Sequence, residues 1–427
     1  MCRAWIKEAS DVRKTRVWER LLGVEQTVVE TVEFDEETGR TIVVSVRPRA
    51  GWLRKPCCGL CGKRSPKYDL GGGIRRWRAL DLGTLQAEIE AAAPRVRCAE
   101  HGVVVASVPW ARHGSGFTKG FEETVSWLAT RCSKSAVSEL MRVAWLTVGR
   151  IIGRVVAEAG PMAERLRGVT RLGIDEVSYR KGHRYLTVVV DHDSGLLLWA
   201  APGHDEKTLN RFFDLLGPEG CAAVEAVTAD AASWIRRAVE KRCPQATMCM
   251  DPFHVVQWAT DALDQVRRDV WNDARKAGQQ ATANELKGCR YALWKNPEDL
   301  TKRQEAKLAQ IAKTNDRLYR AYLLKEQLRQ VFRLALEPAK ELLKAWVDWA
   351  RRCRLQPFVT LAKRIADHQP RIEAALSLKL SNGLVESMNT KIRLITRQAF
   401  GFHSAEPLIG LALLALGGLC PPLPGRW

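Results

Sequence analysis

The stretch "RLGIDEVSYRKGHRYLTVVVDHDSGLLLWAAPG", residues 171–203, decides the fold of this chain. Three short apolar segments are separated by the turn sequences RKGH and HDSG, a pattern that predicts three antiparallel strands. Downstream, a helix (EKTLNRFFDLLG), a strand (AVEAVTADA), a second helix (ASWIRRAVEKRCP) and a last strand (ATMCMDPFHV) are predicted in turn. The complete order is βββαβαβ, in which three antiparallel strands are followed by parallel additions.

This order is typical of a ribonuclease-H-like α/β core, and it directs attention to two carboxylates. Asp175 lies inside the first apolar strand, where a charge is costly unless it is paired or bound to a metal. Asp230 ends the fourth strand, which lies beside the first in this order, at the edge where ligands gather in open α/β sheets. Glu176 follows Asp175 and is expected on the opposite face of the strand.

A third carboxylate stands in "SNGLVESMNTKIRLITR", residues 381–397, which is otherwise a basic helix. Glu386 either complements the helix N-terminus, where negative charge is stabilising, or joins Asp175 and Asp230 as a metal ligand. Three carboxylates with no neighbouring His or Cys favour hard ions such as Mg²⁺ or Mn²⁺. A site of that kind serves in-line displacement at phosphorus.

The charge balance points to nucleic acid. Lysine and arginine number 67 against 48 acidic residues, a formal net charge of +19 over 427 residues. A chain with this excess of positive charge attracts polyanions, so DNA or RNA is the expected partner. The longest apolar run, "LIGLALLALGGLC" from Leu408, is shorter than the ~20 residues of a spanning helix and is expected to be a buried helix. With no signal-peptide pattern at its start, the protein is expected in the cytosol and not at a membrane.

Two cysteine-containing pairs indicate a zinc site. Cys58 and Cys61 have the spacing C-x-x-C, and Cys98 and His101 follow after a predicted β-hairpin. Such pairs are typical of structural zinc, here with three thiolates and one imidazole. Cys57 is an alternative to Cys58. Residues 25–48 alternate apolar and polar side chains around a DEETGR turn, so residues 25–112 are predicted to form a β-rich, zinc-binding, DNA-binding domain.

Three short helical patterns follow the loop HGSGF and predict a helix-turn-helix domain over residues 113–165. Ser133 or Ser135 is the expected cap of the middle helix. Basic side chains in these two domains are candidate DNA contacts: Arg75, Arg76, Arg78, Arg150 and Arg154. The remaining predicted divisions are an N-terminal segment (1–24), the first part of the core (166–254), a helical insertion (255–380) and the closing helices of the core (381–427).

Several motifs together resemble the DDE transposases of the ISL-three insertion-sequence family. They are "GIDE", "TADAA", "DPFHVV", "GCRYALWKNPEDLT", "KTNDRLYRAYLLKE", "SNGLVESMNTKIRLITRQAFGF" and the linker "VPWARHGSGFTKGFE", and they span nearly the whole chain. The resemblance implies that Asp175, Asp230 and Glu386 are the catalytic, magnesium-binding residues. It also implies that Asp251 and His254 support the active site. Asn389 and Arg393 follow Glu386 at i+3 and i+7, so they share its helix face and are expected to support the active site by contacting the scissile phosphate or flanking DNA. Lys391 and Arg397 are further candidate DNA contacts.

The activity implied by this resemblance is DNA transposition. Such an enzyme binds the terminal inverted repeats of its insertion sequence, hydrolyses the phosphodiester at each end and joins the 3′-hydroxyl to target DNA. Pairing two ends implies a homodimer on DNA, in a bacterial cytoplasm and associated with the nucleoid. The alternative is a catalytically silent DNA-binding regulator derived from a transposase. Retention of all three carboxylates favours the enzyme.

Overall fold

The computed structural model describes residues 17–35, 39–53, 56–160, 162–230 and 232–426, apart from the side chain of Ala163. The first sixteen residues of the predicted N-terminal segment lie outside this description. The chain divides into two units, Met1–Pro161 with Gln398–Trp427, and Met162–Arg397. Among the described residues, no helix combines the length and the apolar character needed to cross a bilayer.

The first unit begins with two small sheets. Their strands are β1 (Thr27–Phe34), β2 (Thr41–Pro48), β3 (Lys67–Asp69), β4 (Ile74–Leu82), β5 (Leu85–Ala92), β6 (Arg95–Cys98) and β7 (Gly102–Val105), with a helical turn α1 (Ala50–Leu53) after β2. One sheet has the order β1-β2-β5-β4 and the other β3-β6-β7. The antiparallel pairs β1–β2 and β4–β5 are the two predicted hairpins. Alternate residues such as Ala87 and Ile89 are buried, as a half-buried strand requires.

Three helices follow in this unit as expected: α2 (Lys119–Ala129), α3 (Lys134–Leu140) and α4 (Trp145–Glu158). Ser133, not Ser135, caps α3 by accepting a hydrogen bond from the Ala136 N–H at 3.2 Å. Phe121 of α2, Val137 of α3 and Ile151 of α4 belong to one core between the helices. Each helix therefore contributes one apolar face to a shared core, which is how short helices become stable.

The second unit opens with a short helix α5 (Met162–Arg165) and is built on a five-stranded sheet. Its strands are β8 (Arg171–Arg180), β9 (Arg184–Asp191), β10 (Leu197–Pro202), β11 (Ala226–Ala229) and β12 (Thr247–Met250), with helices α6 (Glu206–Ala223) and α7 (Ser233–Arg242) in the crossovers. The spatial order is β10-β9-β8-β11-β12. β8, β9 and β10 are antiparallel, whereas β11 runs parallel to β8 and β12 parallel to β11. The elements thus occur in the predicted order.

Every element between β12 and residue 380 is helical. The helices are α8 (Pro252–Lys276), α9 (Gln280–Leu286), α10 (Arg290–Trp294), a 3₁₀ turn (Pro297–Asp299), α11 (Lys302–Thr314), α12 (Asp316–Val331), α13 (Leu336–Arg352) and α14 (Gln356–Leu378). They share one core around the fully buried Trp346. After them comes α15 (Gly383–Gln398), which carries Glu386.

The last helix, α16 (Ala405–Leu416), is the predicted buried apolar helix. Leu408 and Leu414 have no exposed surface, and the helix packs against α4 in the first unit. The sequence groups residues 381–427 in one module, but the structure divides this stretch at Gln398. The physical reason is that the apolar surface of α16 is buried against the helical core around Ile151.

Different helices pack against the two faces of the five-stranded sheet. Leu172 and Ile174 pack into the same core as Phe212 of α6 and Ile235 of α7. Gly173 faces the other way, towards α15, as strand alternation requires. A Cβ atom at this glycine would lie only 2.4 Å from Cγ2 of the buried Val385, so the absence of a side chain lets α15 approach the sheet.

Gly173→Ala is therefore expected to lower the free energy of unfolding of the second unit by about 1–3 kcal/mol, the usual cost of overpacking. Chemical denaturation followed by circular dichroism would measure it. The matched control is Gly153→Ala in α4, where an added Cβ meets nothing within 4 Å and helix propensity predicts a gain of about 0.5–1 kcal/mol. Equal effects of the two changes would contradict the close packing of α15.

Candidate active site and zinc centre

The strand register brings Asp175 and Asp230 to the same end of the sheet. Ala229, the last residue of β11, pairs with Ile174 of the parallel strand β8. An aspartate directly follows each of these two residues, so the two carboxylates emerge side by side although 55 positions separate them in sequence. The two aspartates are neighbours because β8 and β11 are adjacent in the sheet.

Asp175 is held by two hydrogen bonds within a mostly buried site. Its Oδ2 accepts from Nδ2 of Asn389 at 2.8 Å, and its Oδ1 accepts from the Glu176 N–H at 2.8 Å. Burial raises the pKa of Asp175 to about 6, and the neighbouring charge of Asp230 acts in the same direction. Asn389 is itself buried on α15, so this hydrogen bond connects that helix to β8.

His254 lies between two carboxylates. Its Nε2 is 3.4 Å from Oδ1 of Asp230 and 3.9 Å from Oδ2 of Asp251. Asp251 is 2% exposed; its Oδ1 accepts the Asn382 N–H at 3.1 Å, and its Oδ2 has no hydrogen-bond partner among the described residues. A buried carboxylate oxygen without a donor is costly, so this atom is suited to a cation.

Glu386 joins this group from the first turn of α15. One ligand atom from each of Asp251, His254 and Glu386 lies within 4.8 Å of the others. Burial raises the pKa of Glu386, and the charge of Asp251 raises it further. The sequence predicted a metal set of Asp175, Asp230 and Glu386. The structure brings all three to one end of the sheet, but the group whose ligand atoms lie within 4.8 Å of one another consists of Asp251, His254 and Glu386, without Asp175 and Asp230.

The donor atoms at this end of the sheet fit a divalent hard cation. Four carboxylates and one imidazole supply mainly oxygen ligands, which suit Mg²⁺ and Mn²⁺. Glu176 stands apart, as predicted from strand alternation, because its Oε1 accepts from Nε1 of Trp234 on α7 at 3.0 Å. Asp191, another nearby acid, serves a turn by accepting the Ser194 N–H at 3.0 Å.

The predicted zinc ligands form one compact cluster in the first unit. Ligand atoms of Cys58, Cys61, Cys98 and His101 all lie within 4.8 Å of one another. The Sγ atoms of Cys61 and Cys98 are 3.7 Å apart, and Nδ1 of His101 is 3.6 Å from Sγ of Cys98. The hydrogen bond with His101 lowers the pKa of Cys98 to about 6, which favours the thiolate that zinc binds. The cluster contains Cys58 and not Cys57.

The predicted DNA contacts fall into two groups. Arg76 lies within 3.6 Å of carboxylates on Asp35, Glu88 and Glu90, and Arg78 pairs with Asp81. Five other side chains are exposed, and none of them forms an ion pair in the part of the chain that the structure describes: Arg75, Arg150, Lys391, Arg393 and Arg397. These five have charge available for phosphate groups.

Arg154 belongs with the paired group. Its Nε donates to Oε1 of the fully buried Glu122 at 2.7 Å. Glu122 also accepts from Nη1 of Arg112 at 3.3 Å and from Oγ of Ser115 at 2.8 Å. Sequence reasoning missed this network, although the linker VPWARHGSGF supplies two of its members. The network fixes the linker to α2 and α4.

Glu122→Ala is expected to destabilise the helix-turn-helix region by about 3–5 kcal/mol, because two arginines lose their buried counter-charge. Thermal unfolding monitored by circular dichroism would show the loss. Glu139→Ala removes an exposed acid from α3 and should change stability by less than about 0.5 kcal/mol. Unchanged unfolding of the Glu122 variant would mean that the network is not formed in solution.

Three regions of the chain match known protein families. Residues 172–410 match the ISL3 DDE domain family described as "Transposase". Residues 106–156 match the helix-turn-helix domain of transposase family ISL3, and residues 54–101 match the zinc finger of the transposases of IS204, IS1001, IS1096 and IS1165.

Two named relatives extend over almost the whole chain. The transposase for insertion sequence element IS1557 of Mycobacterium tuberculosis is 55% identical over 438 residues, covering 97% of this chain and 98% of the relative. The transposase for IS1001 of Bordetella parapertussis is 26% identical over 394 residues, covering 92% and 95%.

Proposed function

This chain belongs to the ISL3 family of insertion-sequence transposases, and from that premise we propose how its residues carry out transposition. Asp175, Asp230 and Glu386 are the catalytic carboxylates of a DNA strand cleavage and strand transfer reaction. The observation that carries this proposal is their convergence, from β8, β11 and α15, at one end of a single sheet. The order β10-β9-β8-β11-β12 supports a ribonuclease-H-like core with the helices of residues 255–380 as an insertion.

The three carboxylates would hold Mg²⁺ or Mn²⁺. When bound, such ions lower the pKa of an attacking water or hydroxyl and stabilise the leaving oxygen at phosphorus. Asn389 orients Asp175 by donating to its Oδ2. Asp251 ties the start of α8 to the start of α15 through the Asn382 N–H, and so positions Glu386. His254, next to Asp230, is placed to hold or release a proton beside that carboxylate.

DNA recognition is assigned to the first unit and to α15. Zinc bound by the four-residue cluster stabilises the domain of residues 25–112. The three helices of residues 113–165 recognise the terminal inverted repeats. Exposed Arg75 and Arg150 are the phosphate contacts of this unit, whereas Lys391, Arg393 and Arg397 line the exposed side of α15 and engage DNA near the cleavage site. Two DNA ends must be joined to one target, so we propose a homodimer on the nucleoid DNA of a bacterial cell. A silent regulator is not favoured, since it has no need of the carboxylates.

Cleavage of DNA carrying the ends of the encoding element tests the proposal. We expect nicking at the element ends that requires added Mg²⁺ or Mn²⁺ and that stops with a chelator. Scrambled end sequences are the control and should remain uncut. Specific binding of the ends without cleavage, under every divalent ion tried, would instead support a regulator.

A further inference from the structure

A cationic cavity lies directly beside Asp230, and it is not explained by metal binding. It has a volume of about 210 Å³, several times the ~30 Å³ that one water occupies in the liquid. Its polar and charged lining residues are Asp230, Ser233, Arg236, His368 and Arg371. α7 and α14 thus meet at a recess next to the predicted cleavage site.

The basic groups of this cavity are poorly neutralised. Nε of Arg236 and Nη2 of Arg371 are each 3.9 Å from the same oxygen of Glu240, too far for a hydrogen bond, and Glu240 is largely exposed. Arg364 adds a further cation nearby, stacked 3.5 Å from the ring centre of Trp258, whose ring also approaches that of His368 at 5.6 Å. The exposed carboxylate of Glu240 is thus the one acidic group near both Arg236 and Arg371 in these ion pairs.

Repulsion between the basic side chains of the cavity, together with an unpaired N–H donor, indicates which kind of ligand the cavity suits. Nε of Arg236 is buried without a hydrogen-bond acceptor among the described residues. Burial and the charge of Arg236 lower the pKa of Arg371, and burial with Arg371 and Arg364 lowers the pKa of His368, although Asp367 opposes this. A bound anion would reduce the repulsion between these positive charges and accept hydrogen bonds from the guanidinium groups. Phosphate suits this role because its oxygens match the paired N–H groups of arginine.

We propose that this cavity binds a backbone phosphate of the DNA strand that is cut, a few nucleotides from the scissile phosphate. Arg236 and Arg371 donate to the phosphate oxygens and act as positioning residues for the strand at Asp230. This inference rests on the proposed function, because a DNA strand must pass Asp230 for its phosphates to reach the cavity. It gives the helical segment of residues 255–380 a direct part in holding the substrate.

The test combines protein and DNA substitutions in one binding experiment. Arg236→Gln/Arg371→Gln is compared with wild type on duplexes carrying the element ends, with each phosphate near the cleavage site replaced in turn by a neutral methylphosphonate. In wild type, one replacement should weaken binding about tenfold, the value of a charge-assisted hydrogen-bonded contact. The double variant should bind unmodified DNA about tenfold more weakly, with a salt slope shallower by about 1, and should be insensitive to that replacement.

Lys363→Gln is the matched control, since it removes an exposed charge from the same helix outside the cavity. It should keep the wild-type response to the methylphosphonate. Arg371→Gln alone replaces the double variant if circular dichroism shows that the latter is misfolded. If wild type cuts the ends but the variants keep its salt slope and its methylphosphonate profile, the cavity holds no phosphate. If wild type neither binds nor cuts the ends, the proposed function fails and this inference fails with it.

Discussion

Asp175→Asn is expected to lower the rate of DNA strand cleavage about 1,000-fold or more, while binding of the element ends stays within a factor of about three. Loss of one carboxylate from the cation site removes several kcal/mol of transition-state stabilisation, and about 4 kcal/mol corresponds to that factor in rate. DNA affinity is preserved because Arg75, Arg150 and the exposed basic residues of α15 are unchanged. Single-turnover cleavage of labelled end DNA measures the rate, and a gel-shift titration measures the affinity.

Glu176→Gln provides an unusually close control. It changes the next residue of the same strand in the same isosteric way, but its side chain faces Trp234 of α7 on the other side of the sheet. Cleavage by this variant should remain within about threefold of wild type, and Glu386→Gln should behave like the Asp175 variant. If Glu176→Gln were as damaging as Asp175→Asn, the assignment of the active face of β8 would be wrong.

The same Asp175 variant is expected to be more stable than wild type when metal is withheld. The pKa of Asp175 is about 6 in the folded protein and near 3.8 in an unfolded chain, so ionisation near neutral pH opposes folding. Removing that charge should raise the free energy of unfolding at pH 7 by up to about 3 kcal/mol. The gain should shrink below pH 6 and vanish below about pH 4, where the carboxyl is protonated in both states. Denaturation at pH 4 and pH 7 in the presence of a chelator measures it.

Cys98→Ser is expected to abolish zinc binding by the first unit, and with it the folded state of the zinc domain and the recognition of element ends. Structural zinc contributes about 10–16 kcal/mol of apparent binding energy at neutral pH in small zinc domains, more than the stability of most domains. Cys98 is buried and contacts both Cys61 and His101, so a hydroxyl in its place leaves the cluster incomplete. Zinc content by atomic absorption, together with a gel shift on end DNA, measures the effect.

Cys57→Ser is the adjacent control. Cys57 immediately precedes Cys58 but is not part of the cluster of four ligands. This variant should retain one zinc per chain and normal end binding. Zinc loss on replacing Cys57 and not Cys58 would reverse the ligand choice that the structure favours.

Much of this architecture was accessible from periodicity and turn chemistry. The turns RKGH and HDSG, with apolar runs between them, were sufficient to predict β8, β9 and β10, because a strand with both faces buried reads as a continuous apolar segment. The position of Asp175 inside such a run predicts that it is a site residue, since an unpaired charge there is costly. The spacing of Cys58 and Cys61, and of Cys98 and His101, likewise predicted the cluster that the structure contains.

Residues whose partners are distant in sequence were not predictable in the same way. Arg150 and Arg154 lie one turn apart on α4 and have the same charge, yet Arg150 is exposed whereas Arg154 pairs with the buried Glu122. Arg76 and Arg78 likewise form ion pairs with carboxylates of their own sheet. No local pattern distinguishes an arginine that binds a buried acid from one that faces solvent, because the difference lies in what the fold packs against it.

The sequence by itself determined the order of the elements and the family, and it predicted which carboxylates and thiolates form the sites, since these depend on local periodicity, spacing and side-chain chemistry. Only the tertiary structure decided how the acids are arranged. It brought Asp251 and His254 beside Glu386, placed Asn389 on Asp175 and assembled the cationic cavity from α7 and α14. These contacts join residues more than 100 positions apart, and they exist because parallel strand register and helix packing against Gly173 fix distances that no local pattern encodes.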